Sequence, residues 1–216
     1  MDMRKSWQIL FILLVTVIPY LPIFANEFAI DDHVFIGKYH PSIIEAFKGA
    51  VPPGHEGVYR PIRGMLYALY YQLFGTNPFF YHLHSLLVHL LSTVLVYFII
   101  ETLIGNWKLE IGNYNSAPFI GALLFGLHPI HTESITYIAA SMEMTGVVFM
   151  LASFWLYLMH TTRKIASYSL ALFAFFTYEM TLTLPLLLVL YEVTVGRLGL
   201  RGIIRKTWGY WVAVGV

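Results

Sequence analysis

Apolar residues come along this chain in long blocks rather than in strict alternation, which predicts membrane helices and no sheet. Behind Arg4 and Lys5, an apolar run from Trp7 to Phe24 is long enough to cross a bilayer, and the pattern predicts a first transmembrane helix over 7–25. A cleaved leader ending at Ala25 is the alternative. The retained helix is preferred because the run exceeds the usual leader core of about 7–15 residues, and because Ile23 is bulky for a small-x-small site. Residues 26–77 are the long polar segment, and two short helices are expected within it. One spans 41–48, with Pro41 at its first position and Gly49 past its end; the other spans 61–74. In the second, Ile62, Met65, Leu66, Leu69 and Leu73 form one stripe and Arg63, Tyr67 and Tyr71 another, as in a helix lying in the membrane interface.

A second transmembrane helix is expected over 78–104, followed by a polar loop to Ser116. The remaining apolar segments, 117–127, 135–160, 165–178, 182–195 and the start of another at 208–216, are read as transmembrane helices three to seven. Several have only 10–14 apolar residues, too few for a straight crossing, so they are expected to end below the membrane surface at a cavity. The last apolar segment holds nine residues, and the chain is read as the N-terminal part of a longer protein.

Composition agrees with the pattern. With 58% hydrophobic and 12% charged residues, the chain has about half the charge of a soluble globular protein. The expected fold class is therefore an all-α polytopic membrane protein. The absence of cysteine excludes disulfides, thiolate chemistry and cysteine-based zinc sites. No glycine-rich phosphate loop or basic stripe is visible, so nucleic acid is not an expected partner. Charge placement sets the orientation. If the N-terminus is cytoplasmic, the inner loops hold nine Lys and Arg, among them Lys108, Arg163, Lys164, Arg197, Arg201, Arg205 and Lys206, against four outside. Under that topology eight of nine histidines and eight of twelve acidic residues lie towards the outer side, and any chemistry is expected there.

Four groupings carry candidate chemistry. Asp31 and Asp32 are adjacent carboxylates beside an apolar surface, where desolvation and mutual repulsion tend to raise a pKa towards that of a useful base; a solvated pair or a helix cap is the plain alternative. His128, His131 and Glu133 have ligand-competent side chains, but Pro129 spoils helical metal spacing, so lining a cavity is the preferred role. A divalent metal is allowed but no cofactor is required. Glu143 and Glu179 sit in apolar context and are expected to pair or to line a cavity. Arg60 and Arg63, at the start of the interfacial helix, suit a lipid phosphate or plain anchoring to headgroups. His82, His84 and His89 read as helix-packing residues, with His82 nearest the outer surface.

Taken in order, Asp31-Asp32, Tyr59-Arg60-Pro61, Tyr81-His82 to His89, Leu124-Phe-Gly-Leu-His-Pro-Ile-His-Thr-Glu133 and Glu179 to Pro185 resemble the membrane part of the transmembrane and tetratricopeptide-repeat O-mannosyltransferases and their prokaryotic relatives, within the GT-C superfamily. The resemblance implies a GT-C type helical bundle and an inverting glycosyltransferase that uses a polyprenyl-phosphate sugar on the outer or lumenal side of the membrane. Protein, lipid or polysaccharide would be the acceptor, and membrane lipids the surroundings. It further implies Asp31 or Asp32 as the base and Arg60, Arg63, His128 and His131 around the donor phosphate, with Glu133, Glu143, Glu179 and His82 in support. The chain departs from the family pattern at Ser141 and Tyr178, where basic residues are usual, and at Ser85, where asparagine is common. A transporter or a catalytically decayed scaffold is the competing expectation.

Overall fold

In the computed structural model, residues 3–52, 54, 57, 59–107, 116–159 and 164–215 are described, and among them every regular element is helical. Lys108, Arg163, most of the polar loop before Ser116, and the ends of the 135–160 and 208–216 segments lie outside the described residues.

The chain runs α1 (Met3–Val17), α2 (Asp32–Phe35), α3 (Ile43–Phe47), α4 (Pro61–Phe74), α5 (Pro78–Trp107), α6 (Ala117–Leu127), α7 (Thr132–Thr136), α8 (Ile138–Leu158), α9 (Lys164–Phe175), α10 (Leu184–Thr194) and α11 (Leu200–Val214). Pro19 and Pro22 remove two backbone donors after α1, and the chain continues as a 3₁₀ helix over Ile18–Ala25. Among the described residues, three segments are long and apolar enough to cross a membrane: Met3–Ala25, Pro78–Trp107 and Ile138–Leu158. The helices over Ala117–Leu127 and Lys164–Phe175 are apolar but shorter.

Local chemistry sets several boundaries. α3 starts at Ile43, not at Pro41, because Ser42 and Glu45 form a capping box: the Ser42 hydroxyl accepts from Glu45 N at 3.2 Å, and Glu45 accepts from Ser42 N at 2.8 Å. Gly75 ends α4 with φ of +57°, a conformation glycine adopts without a Cβ clash. Asn77 then accepts from Phe79 N at 3.1 Å and opens α5. The last helix begins at Leu200, eight residues before the apolar run at 208, because its arginines and isoleucines alternate at helical period.

α5 is the axis of the bundle, flanked by α6 and α8, and α9 packs on the far side of α8. The largest apolar cluster joins Phe154 and Leu158 of α8, Ala171 and Ala174 of α9, Leu184, Leu188 and Tyr191 of α10, and Tyr210 of α11. A smaller one, formed by Ile36, Tyr67, Tyr81, Ile138 and Met142, ties the polar segment to the first turn of α8. On α4 the two stripes separate as their period requires. Arg63, Tyr67 and Ala68 are buried against protein, whereas Leu69 and Leu73 are exposed. Leu66 packs against the cluster of Tyr67 and Tyr81, so the outward part of the apolar stripe is its far end, at Leu69 and Leu73.

Candidate functional site

The start of α4 is pinned by its backbone. Ile62 N donates to the Phe176 carbonyl at 3.1 Å, which holds the helix start against the end of α9. From there Arg60 and Arg63 reach two carboxylates that lie far off in sequence. Arg60 grips Glu179 with two nitrogens, its Nε donating to Oε2 at 2.6 Å, and a third nitrogen donates to Glu143. Arg63 Nη1 donates to the same Glu143 oxygen at 2.6 Å. The side chains of Arg60, Arg63 and Glu143 are 15%, 11% and 19% exposed and that of Glu179 is 40% exposed, so the cluster of two cations and two anions is buried around Glu143 and open at Glu179. Aromatic faces complete it: the Arg60 guanidinium lies 5.4 Å from the Tyr178 ring centre and that of Arg63 lies 5.1 Å from Phe35. The Arg60 bond holds the Glu179 carboxyl below its usual range against the opposing effect of burial.

The adjacent aspartates have separate fates. Asp32 is 1% exposed and turns inward, where Oδ1 accepts from Ala139 N at 2.9 Å and Oδ2 from Ala29 N at 3.2 Å. Ala139 is the second residue of α8, so Asp32 caps a membrane helix from 107 residues away. Burial raises its pKa, and the amides of Ala29, Ala139 and Ile138 oppose that rise. Asp31 faces a cavity of about 560 Å³ whose walls include Phe35, Arg60, Arg63, Glu133, Tyr137, Glu143 and Tyr178. Tyr137 stands beside it, its phenol pushed up to about 12 by burial and by its hydrogen bond to the Asp31 carboxylate. The cavity is therefore lined by the two arginines at the start of α4 and by the carboxylates of Asp31, Glu133 and Glu143.

The other predicted site residues are dispersed. Glu133 is exposed and lines this cavity together with a second, more open recess over Ala25–Ile30. His128 and His131 are not in the cavity wall. His128 accepts from Ile130 N at 3.2 Å to turn the chain, and the His131 ring sits 4.4 Å from Phe125 and 5.3 Å from His89. Burial lowers the His131 pKa. His82 is fully buried against the backbone of Asn26 and Glu27. His84 bridges Tyr70 and Thr145 at 3.0 Å each, and His89 meets the Gly126 carbonyl at 2.9 Å, which fits their reading as packing residues. Among the described residues no three His, Asp or Glu side chains converge to hold a metal. Sequence reasoning missed Tyr137 as a site residue, because it was read as part of a continuous apolar segment; Phe35 carried no signal at all.

Comparison with known proteins adds to this geometry. A human protein O-mannosyl-transferase, TMTC1, is 34% identical over 111 residues, 51% of this chain and 12% of the relative. Tmtc3 of Drosophila melanogaster, also a protein O-mannosyl-transferase, is 32% identical over 111 residues, 46% of this chain and 12% of its own. The Caenorhabditis elegans protein O-mannosyl-transferase F38B6.6 is 24% identical over 159 residues, 68% of this chain and 22% of the relative. The chain resembles the TMTC O-mannosyltransferases. It spans less than a quarter of the length of these relatives. No family model and no solved structure matches it.

Proposed function

We propose that this chain forms part of a membrane glycosyltransferase that moves a sugar, mannose by analogy with the relatives, from a polyprenyl phosphate to a protein hydroxyl on the side of the membrane where α4 lies. The observation that carries the reading is a cavity whose lining brings Asp31 together with Arg60 and Arg63.

In this mechanism Asp31 accepts the proton of the acceptor hydroxyl while the acceptor oxygen attacks the anomeric carbon. The bond from that carbon to the phosphate oxygen breaks on the opposite face, and its electron pair leaves with the polyprenyl phosphate. Arg63 has the larger share of free donors for that phosphate. Its guanidinium carries five N–H groups and gives one nitrogen to Glu143, whereas Arg60 already commits three nitrogens to carboxylates. Glu143 and Glu179 hold both arginines in place before the donor arrives. Asp32 is a positioning residue, because its carboxylate is occupied by backbone amides.

The test is transfer from a labelled polyprenyl-phosphate mannose to a serine- and threonine-containing peptide by the full-length protein in vesicles. Asp31→Asn is expected to lower turnover by about 10²–10⁴-fold, the usual contribution of a general base. Wild-type turnover in that variant sinks the assignment of the base. If the wild-type protein transfers no sugar but shows solute uptake that Glu143→Gln abolishes, the chain is a transporter.

A further inference from the structure

At the end of the bundle opposite the arginine cluster there is another cavity, of about 240 Å³, where the end of α8 meets the start of α9 and the middle of α11. Glu143 and Tyr157 are 14 residues apart on α8, which places the two sites about 21 Å apart along that helix at about 1.5 Å per residue. Its walls include Tyr157, Lys164, Ser167, Tyr168, Lys206 and Tyr210.

Most of the polar groups here are already matched to one another. Glu192, fully buried behind the wall, accepts from Tyr157 at 2.6 Å and from Lys206 at 3.0 and 3.3 Å. The hydroxyls of Ser167 and Tyr210 bond each other at 2.6 Å. Two groups stay open among the described residues: the Lys164 ammonium and the Tyr168 hydroxyl. Lys164 is the first residue of α9, a 12-residue helix with no acid in its first turn. A cation there adds to the positive end of the helix dipole, an unfavourable arrangement that a bound anion relieves. Lys206, held by Glu192, lines the same cavity, and its ammonium group has three N–H donors. The wall is also closely built. A Cβ on Gly209 would come within 2.8 Å of the Tyr168 ring, so glycine is what lets α11 close over that ring.

Lys164 is exposed, and the outer face of the adjoining helix indicates where the anion comes from. The face of α11 turned away from it exposes Ile204, Trp208, Trp211 and Val212, flanked by exposed Arg201 and Arg205. Tryptophans beside arginines on one amphipathic helix seat it at the headgroup level of a bilayer, where phosphate is the abundant anion. We infer that this cavity binds the phosphate of an anionic phospholipid headgroup, held between the Lys164 and Lys206 ammonium groups with the Tyr168 hydroxyl donating a third bond. It is a lipid site remote from the transfer cavity, and its occupancy is read without any sugar transfer.

The intact chain in nanodiscs of phosphatidylcholine, with or without phosphatidylglycerol, provides the test, with native mass spectrometry counting the lipid kept after release. Wild type is expected to retain phosphatidylglycerol in preference to phosphatidylcholine. Lys164→Gln is expected to cut that retention about fivefold, the factor for one lysine at an anionic membrane surface, and Tyr168→Phe by less. Lys38→Gln, at an exposed lysine of the polar segment, is the control and leaves retention unchanged. Equal retention by wild type and Lys164→Gln overturns the proposal. So does displacement of the retained lipid by millimolar glycerol phosphate, because the site is then one for soluble phosphate. Lys206 is left intact in these variants, since removing it strands the buried Glu192 carboxylate.

Discussion

Replacing Asp32 by alanine and by asparagine separates its capping role from its charge. Alanine leaves the Ala139 and Ala29 amides without an acceptor. A lost N-cap costs about 0.5–2 kcal/mol, and leaving a buried donor unsatisfied costs about 1–3 kcal/mol. The two overlap at Ala139, so the combined loss is about 2–4 kcal/mol. For a chain of this length that lowers the unfolding midpoint by about 4–16 °C. Asparagine keeps an oxygen at the Oδ1 position for Ala139 and carries no charge. Its amide nitrogen then stands where Oδ2 accepted from Ala29 N, so Asp32→Asn loses that one bond, at about 0.5–1.5 kcal/mol, and is expected to cost less than alanine. The same pair of substitutions at Asp31 should leave the midpoint near wild type and remove transfer. Thermal unfolding in a fixed detergent, followed by tryptophan fluorescence alongside the transfer assay, reads both effects. An Asp32→Asn protein that is fully stable but inactive, beside an active Asp31→Asn protein, refutes the division of labour between the two aspartates.

The ion cluster gives a coupling prediction: Glu143→Ala leaves two mostly buried guanidiniums with one carboxylate and is expected to cost about 3 kcal/mol, while the Glu143→Ala, Arg63→Ala double variant should cost less than the sum by about 0.5–3 kcal/mol in a denaturation cycle. Glu179 gives a pH prediction. Its folded pKa lies below the usual 4.5, so the stability it contributes is present above about pH 4.5 and is lost as pH falls through the lower folded value. Glu179→Gln should therefore flatten the unfolding midpoint against pH in that acid window. On the other side of α5, Gly126→Ala would set a Cβ 2.5 Å from Thr16 Oγ1 and 3.1 Å from Thr93. Overpacking between α1, α5 and α6 of about 1–3 kcal/mol should follow, measured as a lower unfolding midpoint.

The long helices were legible because length and apolar content decide them, as at Met3–Ala25, Pro78–Trp107 and Ile138–Leu158. Facing was harder. The α4 periodicity defines two stripes, yet in a membrane either stripe can meet the protein, and the buried one is the stripe of Arg63 and Tyr67. Asp31 and Asp32 look equivalent in sequence because only the arrival of Ala139 distinguishes them. The histidines attract attention by residue type, whereas their positions are set by ring packing and a turn, neither of which leaves a spacing signature.

The departures at Ser141 and Tyr178 look, position by position, like two lost cations beside Glu143 and Glu179. Ser141 is fully buried and its hydroxyl donates to the Ile138 carbonyl at 2.8 Å, so it is spent within its own helix. Tyr178 offers its ring face to Arg60. The charges that answer the two carboxylates come from α4, 83 and 119 residues away along the chain. A mostly buried carboxylate such as Glu143 is costly to leave unpaired, and here the pairing is completed from the start of α4. A one-dimensional pattern records the loss at 141 and 178 but not the supply at 60 and 63. Substitutions at these two positions are therefore weak grounds for expecting an inactive protein, and Arg60 and Arg63 are where a loss of donor binding should be sought.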